Sequence, residues 1–173
     1  MWEVFWFFLP AGIANMAPIF AVHMPLLRHW NTPLDFGMSF RGRRIFGDNK
    51  TWRGVIFGVF CAILFGLFQY RGIAYSSEST SFIILASGLL GFGALAGDAV
   101  ASFLKRQRDI PAGSSWIPVD QTDYIIGGLI MIYPLIPDQL TTTIALLTIA
   151  IYMLLHVVVS YFGYLLGLKK KPI

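Results

Sequence analysis

Five apolar stretches, separated by short polar connectors, constrain this chain more than any other feature. They cover residues 4–27, 55–70, 82–104, 124–136 and 140–166. A helix needs about 20 apolar residues to cross the bilayer core, and the first and last stretches reach that length. Charged residues make up 13% of the chain, about half the share usual in a soluble domain. We therefore predict an all-α, polytopic membrane bundle of about five transmembrane helices, folded as one domain over residues 1–173.

The basic residues are unevenly distributed among the connectors. Most lie in connectors 28–53 and 105–123 and in the tail residues Lys169, Lys170 and Lys171, whereas connector 137–139 has none. Basic residues are retained on the cytoplasmic side of a membrane. We therefore expect an integral cell-membrane protein with its N-terminus outside and its C-terminus and both basic connectors in the cytoplasm. No Lys or Arg precedes the first stretch, which we expect to remain as a span rather than to be cleaved as a signal.

The third stretch ends in a polar stripe. Its members Asp98, Ser102, Lys105 and Arg106 are spaced to share one helix face. The residues from 82 to 96 span only about 22 Å as a helix, so Asp98 is predicted to lie below the cytoplasmic membrane surface. A structural alternative is an ion pair between Asp98 and Lys105.

The fourth stretch is too short to cross the bilayer unless its helix begins near Asp120. Asp120 and Asp123 would then share a face near the membrane boundary. Buried carboxylates require cations, and Mg²⁺ accepts a few carboxylates together with substrate phosphates. The alternative is that Asp120 caps the helix and Asp123 interacts with the helix dipole.

The connector before the second stretch combines glycines, bases and other polar residues between Arg41 and Gly54. Backbone N–H groups at a helix start, with Lys50 and Arg53, suit phosphate binding. A plain positive-inside loop would account for the arginines, but not for Asp48 and Asn49 beside them.

Other polar positions lie within the apolar stretches. Asn15 and His156 are each expected to face the bundle or a hydrated cavity, where they would join helices by hydrogen bonds or line a substrate site. The stripe of Gly54, Gly58, Ala62 and Gly66 predicts close helix packing.

The sequence thus predicts acidic residues that suit a metal and basic residues that suit a polyphosphate, at the depth of the lipid headgroups in the membrane. This combination indicates phosphoryl or nucleotidyl transfer. A phosphomonoester is already anionic near neutral pH, so positioning and charge neutralisation can supply most of the rate. The lack of a histidine near these motifs is consistent with that chemistry.

Two motifs carry a family resemblance. The run Gly97-Asp98-x-x-x-Ser102-x-x-Lys105-Arg106, followed by Pro118-x-Asp120-Gln121-x-Asp123, resembles the signature of CTP-dependent phosphatidate cytidylyltransferases. The segment from Phe46 to Gly54 and the ending from Gly163 to Lys169 are similar to the small archaeal-type branch, the CDP-archaeol synthases.

The resemblance implies a Mg²⁺-dependent transfer of CMP from CTP to an unsaturated archaetidic acid-type lipid phosphate, with release of pyrophosphate. It implies that Asp98, Asp120 and Asp123 are catalytic and hold the metal, with Lys105 also catalytic. The implied CTP- and phosphate-binding residues are Asp48, Asn49, Lys50, Thr51, Arg53, Ser102 and Arg106. CTP, the lipid phosphate and membrane lipids are the implied partners; no nucleic acid is expected, and no oligomeric state is assigned.

Three alternatives are weighed against this hypothesis. The first is a phosphatidate cytidylyltransferase acting on diacyl lipid, although the Lys-Asp pair and His-Gly-Gly segment of the bacterial signature are missing and Gln121 replaces its Arg. The second is a small cation transporter or channel, which would gain nothing from the basic connector. The third is a CDP-alcohol phosphotransferase, whose sequence pattern is absent.

Overall fold

The computed structural model describes residues 2–73, 78–111 and 113–165. Within these ranges a two-stranded antiparallel hairpin joins the first two of five α-helices. The helices are α1 (Trp2–Ala21), α2 (Trp52–Leu67), α3 (Thr80–Gln107), α4 (Val119–Ile132) and α5 (Thr142–Leu165), and the strands are β1 (Ser39–Phe40) and β2 (Arg43–Arg44).

Three of the helical segments are long and apolar enough to cross a membrane. They cover residues 52–70, 80–107 and 142–165, and a shorter apolar helix covers residues 5–21. This architecture confirms the predicted all-α membrane bundle. The count of five membrane crossings stays a prediction, and the tail lysines 169–171 lie outside the described residues.

The helix boundaries differ from the apolar stretches at one important place. α1 ends at Ala21, and residues beyond it form turns in which Leu27 and Arg28 donate backbone hydrogen bonds to Met24. Pro25 disfavours a helical conformation at the preceding residue, so the prediction of a first span extending to residue 27 was wrong. By contrast, α4 begins at Val119, which confirms the predicted start near Asp120.

Small residues let α3 occupy the centre of the bundle, where it packs against α1, α2 and α4. A Cβ atom at Gly97 would overlap the backbone oxygen of Asp123, and one at Gly127 would overlap that of Gly93. The α3 and α4 backbones are therefore in direct contact, which places the polar ends of both helices side by side. On α2, the predicted stripe of Gly54, Gly58, Ala62 and Gly66 is buried.

Tyr152 is a buried residue through which α5 contacts the rest of the bundle. The Tyr152 hydroxyl donates a 2.6 Å hydrogen bond to the backbone oxygen of Phe5, and its ring meets that of Phe8 edge-on at 5.0 Å. The Tyr124 hydroxyl donates to the backbone oxygen of Tyr152 over 3.2 Å. Tyr152 thus connects α5 to both α1 and α4.

Candidate active site

A polar cavity of about 680 Å³ lies where the first and third connectors meet the ends of the helices. Nine of the eleven residues that the sequence predicted for the site line it. They are Asp48, Asn49, Lys50, Asp98, Ser102, Lys105, Arg106, Asp120 and Asp123. The structure therefore brings together side chains from three separate parts of the sequence.

Two ion pairs cross the cavity between different elements. Lys50, in the connector before α2, pairs with Asp98 on α3. Lys105 on α3 pairs with Asp120 on α4 at 2.6 Å, and its ammonium also donates to the backbone oxygen of Ser114 over 2.9 Å. The alternative pairing of Asp98 with Lys105 is not the one adopted, because each lysine reaches a carboxylate on another element.

The third carboxylate, Asp123, lies about one turn deeper on α4 than Asp120. Its position beside α3 follows from the close approach of its backbone to Gly97. Asp98 follows Gly97 directly, so this close contact brings Asp98 of α3 near Asp123 of α4. The structure thus brings Asp98, Asp120 and Asp123 together in the lining of one cavity.

Asp35, a buried carboxylate outside the cavity, holds the part of the first connector that lines it. Asp35 is 2% exposed and accepts hydrogen bonds from the backbone amides of Phe46 and Gly47 and from the Arg44 guanidinium, at 2.8–3.0 Å. Burial alone would raise the pKa of Asp35, but these hydrogen bonds outweigh burial and hold the pKa well below its usual range. Arg44 also pairs with Asp48 at 2.8 Å, and these hydrogen bonds raise the pKa of its guanidinium. Arg44, Phe46 and Gly47 all line the cavity.

The structure does not bring Thr51 and Arg53 into the cavity. The Thr51 hydroxyl accepts from the backbone amide of Gly54 and caps α2. The buried Arg53 donates to Asn31 Oδ1 over 2.7 Å and to two backbone oxygens of the turn after α1. Both residues hold the connector from which Lys50 projects.

Several lining residues were not assigned to the site from the sequence. The sequence predicts that Asn15 of α1 and His156 of α5 face the bundle or a cavity, and the structure places both in this cavity, together with Ser160. No histidine lies near the acidic motifs in the sequence, but the packing of α5 against α4 brings His156 to the same cavity. The signal that could have found Ser160 is its spacing of four residues from His156.

Gln121 is a further lining residue with a notable environment. It is buried, and its Oε1 atom has no hydrogen-bond partner among the described residues. A buried carbonyl oxygen without a hydrogen-bond partner costs free energy. The Gln121 oxygen is therefore suited to bind a ligand or a water molecule held by that ligand. Ser114 and Ser115, from the third connector, also line the cavity.

The side chains present fit a divalent metal that binds together with a phosphate substrate. Within residues 2–73, 78–111 and 113–165, no three acidic, histidine or cysteine side chains form a ready-made metal cluster. Mg²⁺ uses few carboxylates and fills its remaining positions with water and phosphate oxygens. Three aspartates line one cavity together with Gln121, whose Oε1 atom has no partner among the described residues, and these oxygens supply that kind of donor set.

Comparison with known proteins gives a consistent result. A sequence model described as CarS-like, CDP-archaeol synthase, matches residues 1–173. The CDP-archaeol synthase of Pyrococcus horikoshii is 36% identical over 98% of this chain and 95% of its own length. That of Methanoculleus marisnigri is 41% identical over 82% of this chain and 89% of its own. A solved structure of an intramembrane enzyme for archaeal membrane lipids biosynthesis aligns with a TM-score of 0.77 and 29% identity, over 92% of this chain and 93% of that one.

The protein is a helical membrane bundle with acidic and basic side chains in one cavity, and it is similar to a solved intramembrane enzyme. These observations define an integral membrane enzyme of lipid biosynthesis. The chain belongs to the CDP-archaeol synthase family. It is a cytidylyltransferase, and the prediction of CTP-dependent activation of a lipid phosphate is confirmed. The family assignment also favours the transferase over the transporter and the CDP-alcohol phosphotransferase.

Proposed function

We propose that the cavity transfers CMP from CTP to an unsaturated archaetidic acid-type lipid phosphate (digeranylgeranylglyceryl phosphate) and releases pyrophosphate. The observation that carries this proposal is the convergence of Asp98, Asp120 and Asp123 on one cavity, with Lys50 and Lys105 paired to two of them across elements. The names of the related proteins support archaeal lipid as the substrate class.

The proposed reaction is an in-line displacement at phosphorus. An oxygen of the lipid phosphate forms a bond to the α-phosphorus of CTP, and the bond from that phosphorus to the α,β-bridging oxygen breaks. Pyrophosphate leaves with the electron pair. The attacking oxygen already carries negative charge near neutral pH, so no proton has to be removed, and positioning and electrostatic stabilisation supply the rate.

Cations around the cavity have the placement that this reaction needs. Lys50, Arg44 and Arg106 lie on the side formed by the first connector and the end of α3, and Lys105 lies between α3 and α4. We assign them to the triphosphate, with Asp48, Asn49 and Ser102 as hydrogen-bonding partners. Thr51 and Arg53 support the connector and position Lys50 rather than touch substrate.

Mg²⁺ is the proposed cofactor, held by Asp98, Asp120 and Asp123. When bound, it would neutralise charge on the triphosphate during transfer. The fit rests on three oxygen-bearing side chains around one cavity and on a fourth oxygen, Gln121 Oε1, that has no partner in the described part of the chain.

The proposed orientation has the cavity facing the cytoplasm and the N-terminus outside. Two basic connectors meet at the cavity end of the bundle, and basic loops are retained in the cytoplasm, where CTP is made. The match of one family model to residues 1–173 supports a single transmembrane domain.

A transfer assay tests this proposal. Purified protein in detergent is incubated with labelled CTP, Mg²⁺ and either a geranylgeranyl-ether glycerol phosphate or a diacylglycerol phosphate. We expect label in the organic phase with the ether lipid, and its loss when EDTA removes the metal. Equal turnover of both lipids would widen the substrate class, and no transfer to any lipid phosphate would defeat the proposal.

A further inference from the structure

The cavity is lined by charged side chains from the connectors, α3 and α4, and by the amide of Asn15, the imidazole of His156 and the hydroxyl of Ser160. We propose that these last three residues, called here the inner subsite, bind the phosphate and glycerol headgroup of the lipid substrate, whereas the basic residues bind CTP. This inference rests on the proposed function, since it divides the same cavity between two substrates.

The floor of the inner subsite is set by Tyr152. Its hydroxyl donates to the backbone oxygen of Phe5, and its ring lies 3.7 Å from the Cβ position of Gly12, so α1 and α5 are joined at that level. Asn15 follows Gly12 by three residues and His156 follows Tyr152 by four. The next turn of each helix therefore faces the cavity, and both side chains line it.

The inner subsite is held in place by packing. The His156 ring lies against Tyr124 with centroids 5.8 Å apart, and the Tyr124 hydroxyl is fixed by the backbone oxygen of Tyr152. Ser160, one turn beyond His156, is only 3% exposed although it lies on a largely lipid-facing helix. A buried polar stripe on such a helix costs free energy and is typically functional.

Charge separates the two substrates. CTP carries three phosphates and needs several cations, which the connector and the end of α3 supply. The lipid brings one phosphate, and its chains must remain in the bilayer. An amide, a hydroxyl and an imidazole can each donate a hydrogen bond, so together they can hold one phosphate.

The outer surfaces of α1 and α5 give the lipid chains a path. Beside the inner subsite, Ile19 of α1 is 60% exposed, and Leu154 and Phe162 of α5 are similarly exposed. Apolar side chains that flank a polar cavity suit a lipid whose chains stay in the bilayer while its headgroup enters between two helices. In this proposal the lipid chains stay against these outer surfaces while the headgroup reaches the inner subsite.

Separate measurements on the two substrates test the inner subsite. In detergent micelles with digeranylgeranylglyceryl phosphate and labelled CTP, His156→Gln and Ser160→Ala are expected to raise KM for the lipid at least about tenfold. Equilibrium binding of labelled CTP without lipid is expected to stay within about twofold of the wild type. Ser160→Thr, which keeps the hydroxyl, should restore the lipid KM. Leu146→Ala is the matched control, because Leu146 is 62% exposed on α5 and lies about 15 Å along the helix from His156.

The outcomes distinguish this inference from the proposed function. Wild-type protein that transfers no CMP to any lipid phosphate would remove the function itself. Wild-type transfer combined with an unchanged lipid KM in His156→Gln and Ser160→Ala would overturn the inner subsite alone, whether or not CTP binding changes. Because CTP binding also reports a folded cavity, a variant that fails to fold is recognised by losing both signals, and Asn15→Ala then takes its place on α1.

Discussion

Lys105 Nζ lies 2.6 Å from Asp120 Oδ2 and joins the end of α3 to the first turn of α4. The same ammonium holds the backbone oxygen of Ser114, and the Asp120 carboxylate accepts a 2.9 Å hydrogen bond from the backbone amide of Trp116. One ion pair therefore fixes two helices and the connector between them. The pair is mostly buried, so replacing one partner leaves the other charge poorly compensated.

Replacing Lys105 with Met should reduce CMP transfer about 100-fold or more, as removal of one charge-stabilising donor commonly does. The loss has two causes, the missing phosphate contact and the release of the Ser114 segment from the cavity wall. Steady-state transfer of labelled CMP measures it. Arg108→Ala is the control, because Arg108 is an exposed base at the end of α3 that lies outside the cavity; equal losses in both variants would show a general charge effect.

Replacing Gly97 with Ala should separate α3 from α4. The new methyl group would overlap the Asp123 backbone oxygen, and overpacking of this kind costs about 1–3 kcal/mol. We expect lower thermal stability together with lost transfer, since Asp98 and Asp123 would move apart. Gly88→Ala on the same helix has only ordinary contacts, 3.6 Å from the Ile63 side chain, and should be neutral or slightly stabilising. Similar stability in the two variants would contradict direct contact between α3 and α4 at Gly97.

Replacing Lys50 with Ala should mainly weaken CTP binding, by about tenfold or more, because a charge-assisted hydrogen bond to phosphate is lost. Equilibrium binding of labelled CTP provides the measurement. Arg28→Ala removes an equal charge from the same connector, at an exposed position outside the cavity, and should leave CTP binding close to the wild-type value. An unchanged CTP affinity in the Lys50 variant would mean that this lysine only sets topology.

Replacing Asp35 with Asn should destabilise the connector by about 2 kcal/mol, since it removes hydrogen bonds to a charged acceptor. The folded-state pKa of Asp35 lies well below its usual range, so its contribution is complete above the unfolded-state pKa of about 3.9. It is lost only as the pH falls toward the lower, folded-state pKa. Thermal unfolding should therefore show the same difference from wild type across the whole range from neutral to mildly acidic pH.

The control for this pH dependence is Asp109→Asn. Asp109 pairs with Arg43, but its side chain is 68% exposed, and an exposed pair contributes little. A stability difference for Asp35→Asn that already disappears between neutral and mildly acidic pH would contradict the low pKa of that carboxyl.

Hydropathy predicted the helical membrane fold, because a segment that crosses lipid must form all of its backbone hydrogen bonds within the protein. It could not predict the end of α1, where Pro25 interrupts a stretch that is still apolar. Small residues every fourth position predicted the buried face of α2. The sequence also predicted that α4 would begin near Asp120, because a shorter helix could not cross the bilayer.

The acidic and basic motifs predicted the members of the cavity but not their pairing. Spacing along α3 allowed Asp98 to pair with Lys105, whereas the fold brings Lys50 to Asp98 from a distant connector. Arg53 follows Lys50 closely in sequence, yet it turns away to the residues after α1. His156 reached the site through the packing of α5, which depends on tertiary contacts at Tyr152 and not on any local pattern.

The transfer activity of Asp98→Asn tests the central claim most directly, because the substitution removes one carboxylate charge at almost unchanged volume. Labelled CMP transfer to digeranylgeranylglyceryl phosphate is measured at saturating CTP and Mg²⁺, and thermal unfolding confirms that the variant is folded. We predict a folded protein whose turnover falls at least about 1,000-fold, as for removal of a group that stabilises the transition state. Near-normal turnover in that folded variant would contradict an active site built on the aspartates of α3 and α4.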